Sequence, residues 1–210
     1  MTSRKNTTRL AGFVIAATWT FCTMKIVLIG VMAINLTALL SWVPKTFPFA
    51  TFQRVVGFVA LGNLGFQFIA GVLSLVWIYR VSRNAQRRAG YALPISPGWA
   101  VGWYFVPIGA LWKPFEAIEQ TWKASVAPLA WRSVPTPALL RWWWGVWLAG
   151  GAAGGLLGFL GQLGLKSQMF TNVMLIVISA VVVGQCVLFN RIVRRLTDLQ
   201  TLALDVGVFD

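Results

Sequence analysis

The residues of this chain that could support chemistry are two carboxylates, Glu116 and Glu119, with Lys113 just before them. Side chains three positions apart share a helix face, so the pair could act as a general acid and base or bind a cation. The sequence has no histidine, and it shows no nucleophile–base pair and no metal-ligand cluster. We therefore expect the glutamates to neutralise nearby lysines and arginines, and we predict no enzymatic activity, cofactor or metal.

The composition predicts an integral membrane protein. Of the 210 residues, 58% are hydrophobic and only 11% are charged, and the mean hydropathy is +0.72. So few charged side chains could not cover the surface of a water-soluble domain of this size. The two cysteines, Cys22 and Cys186, lie inside apolar runs, which favours a packing role over a redox or metal site.

The net charge of +13 does not by itself indicate a nucleic-acid-binding protein. In a soluble chain it would indicate nucleic-acid binding. Here the basic residues flank apolar runs, where they set the orientation of the helices and meet anionic lipid headgroups. We therefore expect no nucleic-acid partner.

The apolar runs predict four transmembrane helices, at about 24–43, 55–79, 140–165 and 173–190. The first run, 10–43, would be about 51 Å long as a helix, against roughly 30 Å of hydrocarbon. Placing Lys25 at an interface leaves residues 10–23 along the cytoplasmic headgroups. Thr136 as N-cap and Pro137 as first helical residue predict the start of the third helix.

Basic residues are distributed unevenly around these spans. Fourteen lie before the first span, between the second and third, or after the fourth, against three on the other side: Lys45, Arg54 and Lys166. Because cytoplasmic loops are enriched in lysine and arginine, we predict that both termini are cytoplasmic.

Segment 96–125, between the second and third spans, breaks the pattern. Ser96 and Pro97 start a helix that Pro107 and Gly109 interrupt, so it is too short to span and is either re-entrant or interfacial. A second helix from Pro114 is predicted to be amphipathic and interfacial. Its apolar face comprises Phe115, Ile118 and Trp122; its polar face comprises Glu116, Glu119, Gln120 and Lys123. We expect the two glutamates to pair with Lys25, Lys113 and the cluster of Arg80, Arg83, Arg87 and Arg88.

Two further patterns lie inside the spans. Asn63 and Gln67 fall on one helical face with Ser74, a face that should point into the bundle toward Asn35 or Gln185. Such a face forms either interhelical hydrogen bonds or a polar pathway, and we favour the hydrogen bonds. The spacing of Gly150, Gly154 and Gly158 indicates close packing against another helix, in this chain or a second one.

The central motifs resemble a known family. They are Trp77-Ile78-Tyr79-Arg80 with Arg83 and Asn84, then residues 96–103, then Val106-Pro107, then Leu111-Trp112-Lys113-Pro114-Phe115. This series resembles an uncharacterised family of bacterial membrane proteins, the domain of unknown function DUF4328. The resemblance implies four spans, with the motifs on a cytoplasmic connection. The chain departs from it at Ala110 and at Phe115-Glu116, where the family pattern has asparagine and a Tyr-Gln pair.

These features together predict a non-enzymatic accessory or scaffold protein of the bacterial inner membrane. We expect it to bind anionic lipid headgroups, another membrane protein or a second copy of itself through a basic, tryptophan-rich cytoplasmic face. The residues predicted for this face are Arg80, Arg83, Arg87, Arg88, Trp99, Trp103, Trp112, Lys113, Glu116, Glu119 and Trp122. The alternative is a small transporter or channel-like protein whose polar path uses Asn63, Gln67 and Gln185.

Overall fold

The computed structural model describes residues 2–39, 49–165 and 167–206, and in that part of the chain it contains helices and no strand. The helices are α1 (Thr2–Leu39), α2 (Phe49–Arg88), α3 (Pro97–Gly102), α4 (Lys113–Val126), α5 (Ala138–Gln162) and α6 (Gln168–Val206). Predictions that concern Lys45, Lys166, the side chain of Asn35 and the end of the first span at residue 43 lie outside the described residues.

Four of these helices are long and apolar enough to cross a membrane. The qualifying stretches are Asn6–Ile34, Arg54–Arg88, Ala138–Gln162 and Gln168–Thr201. This confirms the all-helical class and the prediction of four helices that could span a membrane. The first qualifying stretch begins at Asn6, earlier than the predicted residue 24. Helix α6 continues past its apolar part as a charged extension that includes Arg191 and Arg194.

The end of α2 is set by a left-handed turn. Gly90 has φ +59° and Tyr91 has φ +63°, and the backbone N–H of Tyr91 donates to the carbonyl of Gln86 at 2.8 Å. Left-handed backbone costs a residue other than glycine about 1–2 kcal/mol. The side-chain amide of Gln86 stabilises the turn by donating to the carbonyls of Tyr91 and Leu93, at 3.2 and 3.3 Å.

Segment 96–125 is broken in the way its prolines and glycines predict. Ser96 caps α3, its hydroxyl accepting from the backbone N–H of Trp99, and the helix ends after six residues. Two single-turn 3₁₀ helices, Trp103–Phe105 and Gly109–Leu111, then lead to α4. No described helix here approaches the length of a span, which confirms that the segment does not form a fifth one.

The chain folds into two compact units. The first comprises residues 1–17, 70–144 and 188–210, and the second comprises residues 18–69 and 145–187. In the first unit, Trp77 is fully buried and its ring meets Phe189 edge-on, with centroids 5.9 Å apart. Trp143 stacks on the same phenylalanine at 5.8 Å. Three long helices therefore share one aromatic core in this unit.

Helix α4 differs from the predicted interfacial helix because its apolar face is buried in protein. Ala117, Ile118, Thr121 and Ala124 are each at most 1% exposed, and the hydroxyl of Thr121 lies 3.1 Å from that of Ser82 on α2. These side chains are mostly small, so α2 can approach closely. Trp122, predicted to face lipid headgroups, is also buried, at 7% exposure.

The second unit buries few of its described side chains, and about half of its described large apolar residues are exposed, as lipid-facing residues are. Of the regularly spaced glycines on α5, only the first lies close to a side chain of another described helix. A Cβ on Gly150 would lie 3.4 Å from Val181, whereas Gly154 and Gly158 have open space beside them. Of the three predicted packing positions, only Gly150 has a side chain of the described residues within 4 Å of where its Cβ would lie.

Candidate binding surface of the first unit

The first unit carries a set of exposed arginines, which we call the arginine surface: Arg80, Arg83, Arg87, Arg191, Arg194 and Arg195. The spacings on α2 and α6 place each group on one helix face, opposite the buried residues. Arg80 donates to the backbone carbonyl of Asn6 at 3.5 Å. The other five have no hydrogen-bond or ion-pair partner among the described residues. Their guanidinium groups are therefore free to bind anions.

The two glutamates pair with lysines rather than with the arginine cluster. Lys113 Nζ lies 2.6 Å from Glu116 Oε2, as predicted, and Lys123 Nζ lies 2.8 Å from Glu119 Oε1. The expected pairing with Lys25 and the arginines is wrong. Lys25 lies in the second unit, 5.2 Å from the ring centre of Phe21. Lysines one turn away on α4 are the nearer partners, because i,i+3 and i,i+4 neighbours meet without any tertiary contact.

Glu119 is the more firmly held of the two carboxylates. Thr136, expected to act as an N-cap, instead donates its hydroxyl to Glu119 Oε1, the oxygen that also receives Lys123. Burial by itself would raise the pKa of Glu119, but the hydrogen bonds from Lys123 and Thr136, together with the lysine charge, outweigh it and lower that pKa below 4.5. Glu119 is therefore ionised at neutral pH.

A depressed pKa in the folded state predicts a specific acid sensitivity. The stability that ionised Glu119 contributes is fully present above about pH 4.5 and is lost as the pH falls through the lower folded-state pKa. We expect the melting temperature of Glu119→Gln to lie below that of the wild type by a constant amount above pH 5, and the difference to narrow below pH 4.5. Thermal melts in detergent between pH 3 and 7 test this.

Glu116→Gln is the matched control for that experiment. The Glu116 side chain is 44% exposed, and a solvent-exposed ion pair contributes about 0.2–1 kcal/mol. Its melting temperature should stay closer to the wild-type value. A Glu119→Gln difference that stays unchanged down to pH 3 would contradict the assignment.

A cavity of about 500 Å³ opens beside these ion pairs. Its walls include the indoles of three tryptophans, both glutamates and both lysines: Trp99, Trp103, Trp131, Glu116, Glu119, Lys113 and Lys123. The rings of Trp99 and Trp103 lie 4.9 Å apart with a 36° tilt and form one wall. We call this space the tryptophan cavity.

The wall of the tryptophan cavity is set by backbone features. A Cβ on Gly109 would come within 2.6 Å of the Trp103 ring, and one on Gly102 within 3.2 Å of the Trp99 ring. The two indoles therefore occupy space that only glycine leaves open. On the facing side, the amide of Gln120 both donates to the carbonyl of Ile95 and accepts from its N–H, which ties residues 94–96 to α4.

A second cavity of about 350 Å³ lies against the arginine surface. Arg83 and Arg87 line it together with Tyr79, Tyr91 and Gln86. The carbonyl oxygen of the Gln86 side chain is buried and makes no hydrogen bond, although its amide nitrogen makes two. We call this space the arginine cavity; Ser96 borders both it and the tryptophan cavity.

The remaining predicted site residues are dispersed. Arg88 is half-buried and donates to the backbone carbonyl of Gln200, so it is not part of the arginine surface. Trp112 is 44% exposed. In the second unit Asn63 is buried, Gln185 is half-buried and Gln67 is exposed. Gln67 thus departs from the expectation that this face points into the bundle.

Several residues that line the two cavities were not predicted from the sequence. Tyr91, Gln86 and Trp131 were not singled out, and Gln120 was read only as part of a polar face. The Ala89-Gly90 pair after the arginines signals a helix end and could have located Tyr91. Gln86 and Gln120 gave no such signal, because their partners are backbone groups of a loop.

Four helices long and apolar enough to cross a membrane indicate a multi-pass membrane protein. The family model described as Domain of unknown function (DUF4328) matches residues 45–198. The chain therefore belongs to that family, as the resemblance of its central motifs indicated. No curated protein and no solved structure matches it significantly.

Proposed function

We propose that the chain is a non-enzymatic accessory or scaffold protein of the bacterial inner membrane and that its arginine surface binds anionic phospholipid headgroups. Arginine forms short, charge-assisted hydrogen bonds with phosphate oxygens, often through two N–H groups at once. The arginine surface offers five guanidinium groups that have no partner among the described residues. The glutamates of the same unit are occupied by lysines and do not compete for them.

The observation that carries this proposal is the segregation of charge between the two units. All fourteen basic residues predicted to be cytoplasmic fall within the residue ranges of the first unit, and the other four, Lys25, Lys45, Arg54 and Lys166, fall within those of the second. The five acidic residues also belong to the first unit. This grouping supports a cytoplasmic first unit with both chain termini on that side.

The arginine cavity fits a headgroup more closely than an exposed surface would. Arg83 and Arg87, one helical turn apart, can take the phosphate oxygens. The unpaired side-chain oxygen of Gln86 can accept a hydrogen bond from a headgroup hydroxyl, such as that of phosphatidylglycerol. Arginines on α6 extend the positive surface toward neighbouring lipids.

Neutralising two arginines of this cavity should weaken lipid binding measurably. Each basic residue near an anionic surface contributes about 1 kcal/mol, so Arg83→Gln with Arg87→Gln should lose about 2 kcal/mol, or roughly thirtyfold in affinity. The measurement is native mass spectrometry of the protein from detergent with graded phosphatidylglycerol. The fraction of protein with bound lipid gives the apparent affinity.

Arg54→Gln is the matched control, since Arg54 is an exposed arginine of the second unit. It should bind phosphatidylglycerol as the wild type does. If the double variant keeps wild-type affinity, the arginine surface does not bind lipid, and an acidic protein partner becomes the better explanation of its charge.

A further inference from the structure

We propose that the tryptophan cavity is a binding site for an organic ammonium group. This inference concerns a different cavity and a ligand of opposite charge from the proposed lipid site. It rests on the cavity's free acceptors, its aromatic wall and the glycines that hold that wall in place.

The two lysines and two glutamates of the tryptophan cavity have no net charge. The carboxylate oxygens that the lysines do not use favour a cation. Lys113 and Lys123 are each held by a glutamate. Each glutamate uses one oxygen in these contacts, which leaves Glu116 Oε1 and Glu119 Oε2 without hydrogen bonds to the described residues. The two free carboxylate oxygens belong to side chains one helical turn apart, and a ligand ammonium can approach both.

The aromatic wall adds to this preference. The face of an indole ring carries negative potential, and an ammonium within about 6 Å of a ring centre is attracted by roughly 0.5–2 kcal/mol, more when water is excluded. Trp99, Trp103 and Trp131 all line the cavity, and Arg132 already lies 4.8 Å from the centre of the Trp131 ring. Because Arg132 already lies over the Trp131 ring, the rings of Trp99 and Trp103 are the ones left for a ligand ammonium.

Size and charge together select an organic cation rather than a metal ion. A cavity of about 500 Å³ is far larger than a bare ion needs and lies within the range of small-molecule sites. The ammonium groups of Lys113 and Lys123 lie 2.6 and 2.8 Å from the glutamate oxygens and repel a divalent ion strongly. They repel the single, spread-out charge of an organic cation less. The ligand class is therefore a primary or quaternary amine, either free in solution or as the headgroup of a zwitterionic phospholipid.

The cavity is preformed. Trp103 sits where a Cβ on residue 109 would clash at 2.6 Å, so Gly109→Ala must displace that ring while removing no polar group. Gln120 holds the opposite wall through both of its hydrogen bonds to Ile95. Because the cavity walls are already in place, ligand binding costs little conformational entropy, and this favours affinity.

The test uses choline and its uncharged isostere 3,3-dimethylbutan-1-ol on the full-length protein in a detergent without amine groups, with titration calorimetry as the readout. Choline should bind saturably and the isostere at least about tenfold more weakly. Glu116→Gln and Gly109→Ala should each weaken choline binding about tenfold, one through charge and the other through ring placement. Trp142→Ala, which removes an exposed indole outside the cavity, should leave binding unchanged.

Native mass spectrometry distinguishes the two sources of the amine. Retention of phosphatidylethanolamine by the wild type, with loss in Glu116→Gln, assigns the site to a lipid headgroup; choline binding without retained lipid assigns it to a soluble amine. Equal binding of choline and the isostere would overturn the proposal. Undiminished choline binding in both Glu116→Gln and Gly109→Ala, each with a wild-type circular dichroism spectrum, would overturn it as well.

Discussion

Trp77→Ala is expected to destabilise the protein by about 3–5 kcal/mol, the range for removing a large aromatic side chain from a packed core. Trp77 is fully buried, packs edge-on against Phe189, and donates its indole N–H to Thr197 at 3.4 Å. The loss should hold in lipid as in water, because dispersion contacts with Phe189 disappear and a cavity remains whichever solvent surrounds the unit. Equilibrium unfolding in mixed detergent micelles measures the free energy.

The matched control is Trp142→Ala, which removes the same side chain from a position 69% exposed. Its free energy of unfolding should change by about 0.5 kcal/mol or less. Similar losses for the two variants would mean that Trp77 is not in the core of the first unit. Such a result would also remove the basis for placing α2, α5 and α6 around Phe189.

Gln200→Leu is expected to cost about 2–3 kcal/mol, although it exchanges a buried polar side chain for an apolar one of similar size. The amide nitrogen of Gln200 donates to the carbonyl of Val81 and to the hydroxyl of Ser125, both at 3.0 Å, and its oxygen accepts from Asn84 at 3.3 Å. Each intramolecular hydrogen bond contributes about 1 kcal/mol. Leucine would remove all three and leave polar partners facing an apolar side chain.

Gln67→Leu is the corresponding control, since Gln67 is exposed and makes no hydrogen bond within the described part of the chain. It should lose no stability under the same unfolding conditions. Arg88 also reaches the backbone of Gln200, so the Gln200 variant should loosen the α2–α6 contact in particular. Faster amide exchange near Asn84 than near Phe189 would localise the effect; uniform exchange across the unit would not fit this explanation.

These two residues connect stability to the proposed binding sites. Trp77 and Gln200 hold together α2, which carries Arg83 and Arg87, and α6, which carries further arginines. Ser125 and Thr121 tie α4 into the same unit, and α4 carries the glutamates of the tryptophan cavity. A variant that loosens this core should weaken both lipid and choline binding, whereas the cavity variants should affect one ligand each.

Local pattern was sufficient for much of the fold. Apolar run length indicated four spans, and Ser96-Pro97 and Pro114 predicted the starts of α3 and α4. The Lys113–Glu116 pair follows from helical spacing alone. These features could be predicted because each depends on residues a few positions apart, whose relative geometry a helix determines.

The errors arose where a residue's partner is distant in the chain. Ile118 and Trp122 were predicted to face the membrane interface but are buried in protein. Amphipathicity shows which face of a helix is apolar, not whether lipid or protein covers that face. Gln67 was placed inside the bundle on the same kind of argument. The glutamates were expected, on charge alone, to pair with Lys25 and the arginine cluster as well as with Lys113. Their partners are Lys113 and Lys123, which lie on the same helix.

The sequence by itself determined that this protein is helical, that four of its segments are long and apolar enough to cross a membrane, and which segments carry its charge. The length of the apolar runs, the residues that start and end helices, and the composition decide these properties, and each can be read from neighbouring residues. Only the tertiary structure decided that Arg83 and Arg87 border one cavity and that three tryptophans border another. Those groupings depend on contacts such as Gln200 with Val81, 119 positions apart in the chain, and on the space beside Gly109 that Trp103 fills. Packing across such separations has no local signature, because it depends on how whole helix faces meet.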